Sequence, residues 1–168
     1  GRSWGVCGVD GNGQSELIRC ITGLLRPSAG AIYLDGQNVT GKSPREMLGH
    51  GMAHIPEDRL KMAVLRELSI QENRELSRKP RLLVAMHPNR GLDVGATQYI
   101  QKQILQARDE GAAVLLVSTE LDEILEMSDT IMVLYKGRNM GIVQGDQASP
   151  RELGLKMAGI QSRPSGEA

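Results

Sequence analysis

Gly8-Val9-Asp10-Gly11-Asn12-Gly13-Gln14-Ser15 is the stretch whose reading decides the fold. The apolar run Trp4 to Cys7 leads straight into it, and Leu17, Ile18, Ile21, Leu24 and Leu25 follow at helical spacing. Strand, glycine-rich turn and helix, in that order, form the context in which a phosphate-binding loop acquires meaning. Glycines let the backbone curl so that successive N–H groups point inward, and the helix adds its positive end. The pattern GxxxxGK(S/T) is met at every fixed position but one, because Gln14 stands where lysine is expected. A glycine-rich turn of this kind also serves tight strand-to-helix packing alone.

Working outward, the 168 residues suffice for one domain with a sizeable core, and two complete domains would be a squeeze. Twenty basic and 20 acidic residues cancel, so no general electrostatic pull toward nucleic acid or anionic membrane is expected. With no phenylalanine and one tryptophan, aliphatic side chains must fill nearly all of the core. Cys7 and Cys20 fall in an expected buried strand and the next helix, as small core residues in a reducing compartment. The longest clear apolar run, Ala112 to Val117, has the length of a strand and not of a membrane span. An opening of Gly1-Arg2-Ser3, with no initiator methionine or signal-peptide pattern, is expected of a fragment.

Further along, Arg26-Pro27-Ser28-Ala29-Gly30 is expected to stop the first helix. Ala31–Leu34 and Gln37–Val39 read as a hairpin around Asp35-Gly36. Ser43-Pro44-Arg45-Glu46 is a helix start with cap, proline and third-position glutamate. Gly51–Ile55 is a buried strand, and Pro56-Glu57-Asp58-Arg59 lies beyond its carboxyl end, where α/β proteins place ligand contacts. The same four residues also suit a solvated turn. Leu60 to Asn73 shows no clean period, with Ser69 and Glu72 available to cap a short helix. Arg81–Met86 is the next strand, and His87 is the ionisable group nearest its end. A helix from Val94 to Arg108 follows, capped by Asp93, and Ala113–Val117 is apolar without alternation, hence a central strand. Thr119 and Asp122 have the spacing of a cap and third position. Thr130–Tyr135 and Asn139–Val143 pair around Lys136-Gly137, and Ser149 opens a last helix before a polar tail at 161–168. The class is α/β: a mostly parallel sheet with flanking helices and short hairpins.

Five blocks in this order resemble the ATP-binding subunits of ABC-type importers, specifically the second nucleotide-binding domain of the sugar and nucleoside importer ATPases. They are Gly8–Leu17 (GVDGNGQSEL), Thr22–Gly36, Ile55–Arg59 (IPEDR), Pro88–Ala96 (PNRGLDVGA) and Val114–Ile124. The resemblance implies a P-loop NTPase-like fold over 1–160. It also implies a Walker A loop in which Gly8, Asp10, Gly11, Asn12, Gly13, Gln14, Ser15 and Glu16 contact ATP, with Ser15 holding Mg2+. Glu57 then matches the Q-loop glutamine, Asp93 the D-loop aspartate and Thr119 the switch histidine. Ala85 and Met86 fall at the Walker B aspartate and catalytic glutamate, so no residue is assigned as catalytic. The family's helical subdomain, with its signature, is expected between Asn73 and Arg74, where Ser69-Ile70-Gln71-Glu72-Asn73 runs directly into Arg74-Glu75-Leu76-Ser77. That joint reads as a deletion, leaving the domain partial and Leu65, Leu68, Ile70 and Leu76 with few partners.

The expectation is an ATP-binding component of a sugar or nucleoside importer, hydrolytically weak or inactive, at the cytoplasmic face of a membrane. Its partners would be a membrane subunit and a paired nucleotide-binding domain, with no nucleic acid and no transmembrane segment of its own. A non-catalytic structural or regulatory nucleotide-binding module, or a non-functional gene remnant, are the alternatives.

Overall fold

The computed structural model describes residues 1–57 and 79–160. Five parallel strands form its centre: β1 (Ser3–Cys7), β4 (Met52–Ile55), β5 (Leu82–Met86), β6 (Ala113–Ser118) and β7 (Thr130–Tyr135). With β8 (Arg138–Gln144) they make a six-stranded sheet in the order β4-β5-β6-β1-β7-β8, and only β8 runs antiparallel. β1 lies between β6 and β7, with Val6 beside Val117 and Met132. The chain therefore leaves the middle of the sheet at the end of β1, goes to one edge, and works back. Loops at the carboxyl ends beside such a reversal form the crevice where open α/β sheets bind ligands.

Helices cover both faces, as a parallel sheet requires. On one face α1 (Gln14–Ile21) and α2 (Pro44–Gly49) pack Ile18 and Met47 against Val6, Val84 and Val117. On the other, α3 (Val94–Asp109), α4 (Leu121–Met127) and α5 (Pro150–Met157) bring Ile104, Ile124 and Leu153 onto Leu83, Leu116 and Ile131. Val84, Val114, Leu116 and Ile131 of the central strands are buried. Trp4, on the same face of β1 as Val6, stays 41% exposed.

Local signals behave as read. The two short strands β2 (Tyr33–Leu34) and β3 (Gln37–Asn38) pair antiparallel across Asp35 (φ 49°) and Gly36 (φ 74°), the two left-handed residues of a type I′ turn. Ser43 forms a full capping box with Glu46, and Asp93 and Ser149 accept from the third amide of their helices. Two boundaries differ. α1 ends at Ile21, because Thr22 turns its hydroxyl to the Ile18 carbonyl and Gly23 (φ 78°) lies against the Lys42 backbone with no room for a Cβ. Leu24 and Leu25 consequently fall outside the helix and are exposed. α4 is not capped by Thr119; its N-cap is Glu120, whose amide donates to Ser118 Oγ at 3.1 Å. Cys7 is buried, which pushes its thiol up to about 11, while Cys20 is half-buried on α1; both are free. Asp58, Arg59, the Leu60–Asn73 stretch, the 73/74 joint with its four apolar residues, and the 161–168 tail lie outside the described residues.

Candidate functional site

The β1–α1 loop keeps the geometry of an anion cradle. Gly11 (φ 82°) and Gly13 (φ 104°) are left-handed, the conformation that side-chain-bearing residues adopt at a cost. Gly13 serves as the N-cap of α1 without a side-chain bond. Among the described residues, the amides of Gly13, Gln14 and Ser15 donate to no acceptor in the chain. Free amides converging at a helix start favour phosphate or carboxylate oxygens. Ser15, exposed in the first turn, holds its hydroxyl free among the described residues, and Glu16 and Asp10 are exposed beside it.

Two of the expected ligand-contacting side chains turn inward instead. Gln14 is buried, and its Nε2–H donates to the Val9 carbonyl at 3.2 Å, inside the loop. Its carboxamide and the Leu134 carbonyl fill the space that a Cβ at Gly8 would need. Asn12 is buried too, and its Nδ2–H donates to the same Val9 carbonyl at 2.9 Å. A phosphate-loop lysine would add a positive charge here; Gln14 adds only a neutral amide.

Next to the loop, the ends of β5 and β6 open onto a cleft of about 120 Å³ lined by Asp10, His87, Arg90, Ser118, Thr119, Glu120 and Glu123. His87 sits directly beyond β5 in a left-handed conformation (φ 44°), and its amide donates to the Val117 carbonyl at 2.8 Å. The two residues expected at the hydrolysis positions, Ala85 and Met86, lie on opposite faces of β5. Ala85 is fully buried in the core on the α3–α5 face, and Met86 packs with Ile18 on the α1 face. At the strand end it is His87 that lines the cleft. Thr119 lines the cleft, and Glu57 forms an ion pair with Arg90, which lines it too.

Glu123 is the residue that sequence reasoning missed. It is 4% exposed and accepts from Asn89 Nδ2 at 2.7 Å across 34 residues of chain. Burial holds its carboxyl above the usual range, a hydrogen bond from Ser118 works the other way, and the charge of Glu120 adds to the rise. Only its place in the first turn of α4 was visible in the sequence, where an acidic residue complements the helix dipole without any ligand.

The phosphates of a nucleotide fit this loop, since unsatisfied amides surround the space at its mouth. Magnesium fits poorly. A hard cation takes oxygen ligands; the loop offers the Ser15 hydroxyl, and the end of β5 offers the thioether of Met86 and the imidazole of His87. No cluster of three or more metal-ligating side chains occurs among the described residues.

The model of the ABC transporter family matches residues 1–136. The chain is 35% identical to the nucleoside import ATP-binding protein NupA of Lactococcus lactis subsp. cremoris (strain MG1363), over 92% of this chain and 42% of that protein. It is 34% identical to the guanosine import ATP-binding protein NupO of Bacillus subtilis (strain 168), over 98% of this chain and 44% of that protein. The chain thus spans well under half the length of either relative. The NupA alignment runs over 213 positions while 92% of 168 residues is about 155, so about 58 positions face no residue of this chain. The same reckoning for NupO, 222 positions against about 165 residues, leaves about 57. Among solved structures, the ADP conformation of MJ1267, an ATP-binding cassette of an ABC transporter, superposes with a TM-score of 0.74. The match covers 94% of this chain and 87% of that one at 18% identity, a likeness of fold alone.

Proposed function

The chain belongs to the ABC transporter family, and from that premise we propose that it is a nucleotide-binding piece of an importer ATPase whose own hydrolytic site is weak or inactive. The observation that carries this reading is a contrast: the loop amides at Gly13–Ser15 are free, and the end of β5 carries Met86 and His87 and no carboxylate. In this reading the amides bind phosphate oxygens, and the Ser15 hydroxyl is a single oxygen that does not by itself hold magnesium. The transition state of phosphoryl transfer is stabilised almost wholly by positioning and electrostatics. Gln14 contributes no cation, and β5 contributes no carboxylate.

Nucleosides are the solute class favoured by the relatives' printed roles, with sugars as the second class implied by the motifs. The roughly 57 to 58 alignment positions without a counterpart support the reading of 73/74 as a joint across a missing segment. The partners are then a membrane subunit and a second nucleotide-binding domain, and the place of action is the inner face of a membrane. No helix among the described residues is long and apolar enough to cross one. A non-catalytic regulatory module is the second reading, favoured by Gln14, whose amide is spent on Val9 within the cradle.

Calorimetry with ATP and GTP, paired with a phosphate-release assay, tests the proposal. The expected outcome is weak binding of both, within tenfold of each other, and turnover far below one per second. Magnesium-dependent turnover near one per second that Ser15→Ala abolishes would overturn it.

A further inference from the structure

The glycine-rich loop meets the β7–β8 turn across 124 residues of chain, and Asn12 makes the contact. Lys136 (φ 47°) and Gly137 (φ 73°) form that turn, with Tyr135 paired to Arg138 on either side. A two-residue hairpin turn leaves its central amides without a partner in the ladder. Here Asn12 accepts both: Lys136 N–H donates to Asn12 Oδ1 at 2.8 Å, and Gly137 N–H donates to the Asn12 carbonyl at 2.9 Å. Asn12's own donors go to Val9, the side-chain amide at 2.9 Å and the backbone N–H at 3.2 Å. All four polar groups of this buried residue are therefore used inside the protein, and none faces a ligand. Gly13 follows immediately, and a Cβ on it would stand 3.3 Å from the Gly137 Cα.

We propose that Asn12 is a positioning residue through which the Lys136–Gly137 turn holds the amides of Gly13, Gln14 and Ser15 in their anion-binding arrangement. The Asn12 carbonyl and the Gly13 N–H share one planar peptide, so holding that carbonyl fixes the first of the three amides. The antiparallel edge strand β8 thereby reaches the site, although it supplies no group to it. The proposal deepens the phosphate-binding reading of the loop and rests on it for its consequence, but the coupling itself is readable without any ligand.

The test uses the whole chain and backbone order parameters from NMR, with tripolyphosphate as the binding probe. In the wild type the loop amides should be ordered and the Lys136 amide protected from exchange. Asn12→Ala should release Lys136, drop the order parameters of Gly11–Ser15 below about 0.6, and weaken tripolyphosphate about tenfold. Protection of Val114–Val117 should persist. Asn12→Asp keeps an acceptor for Lys136 and should restore its protection and the order of the loop, a rescue that mere packing would not require. Gly137→Val loads the left-handed turn and should loosen the loop from the other side; it decides the matter if Asn12→Ala does not fold. A loop that stays rigid in the folded variants while the Lys136 amide exchanges freely would overturn the proposal. If the loop loosens but the wild type binds no tripolyphosphate, the clamp stands and the nucleotide-binding reading fails.

Discussion

Two loops leave the carboxyl ends of the parallel strands on either side of β6, and their demands differ. The β1–α1 loop is defined by backbone: left-handed glycines, free amides and a helix start. The β5–α3 loop, Met86 to Asp93, would have to be defined by side chains, since hydrolysis asks for carboxylates at set places. The first arrangement tolerates almost any residue that preserves the dihedral angles. The second is lost with one substitution per group, and what remains at β5 is Met86 and His87. On the proposed reading, such a site keeps the capacity to hold phosphate without the means to transfer it.

The largest expected effect breaks that contrast directly. A variant carrying Gln14→Lys, Met86→Asp and His87→Glu should raise magnesium-dependent turnover by about 10²-fold or more, the scale of one restored electrostatic group. A phosphate-release assay reads it, and an unchanged rate would place the missing determinant outside this crevice. Next in size, Gly13→Ala should weaken nucleotide binding about tenfold by calorimetry. It puts a side chain at φ 104° and against Gly137, a strain of about 1–2 kcal/mol. Unchanged affinity would show that the amides, and not the glycine, define the cradle.

The smaller effects concern stability and compare the crevice with the sheet edge. His54 on β4 is half-buried, its buried Nε2 has no partner among the described residues, and desolvation lowers its pKa to about 4. The unfolded chain binds that proton near pH 6.5, so this contribution is present above pH 6.5 and is lost as pH falls toward 4. Thermal melts should show His54→Leu losing less stability than the wild type between pH 7 and 5, a gap of about 1–2 kcal/mol. An equal loss in both proteins would assign the acid sensitivity elsewhere. Glu123, in the crevice, has the opposite sign. Its carboxyl is held above the unfolded value, so its contribution is greatest below the ordinary glutamate range and declines as pH rises through the folded value. Glu123→Gln keeps an acceptor for Asn89 and removes the buried charge. It should therefore be stabilising at pH 8, by up to about 1 kcal/mol, and neutral at pH 4. A variant destabilised at pH 8 would mean that Asn89 needs the charge.

Much of the local structure was legible because it follows from neighbouring residues. Asp35-Gly36 forms its hairpin, Ser43 its capping box with Glu46, and Asp93 and Ser149 their caps, each within three residues of chain. The end of α1 was not, because the helical spacing of Leu24 and Leu25 carries no trace of Gly23 packed on the Lys42 backbone. Nor were the two faces of β5. Ala85 and Met86 are both apolar, and only the sheet shows that Ala85 meets the α3–α5 side and Met86 the α1 side.

What the sequence determined by itself was the fold class, the place of the phosphate loop and the absence of the expected lysine, all written in short-range pattern. The tertiary structure alone decided which way Asn12 and Gln14 face, that Glu123 is buried on Asn89, and that a turn 124 residues away grips the loop. The physical reason is that backbone periodicity and capping act over one or two turns of chain. The partner of a buried polar group, in contrast, is whichever donor or acceptor packing brings within about 3 Å.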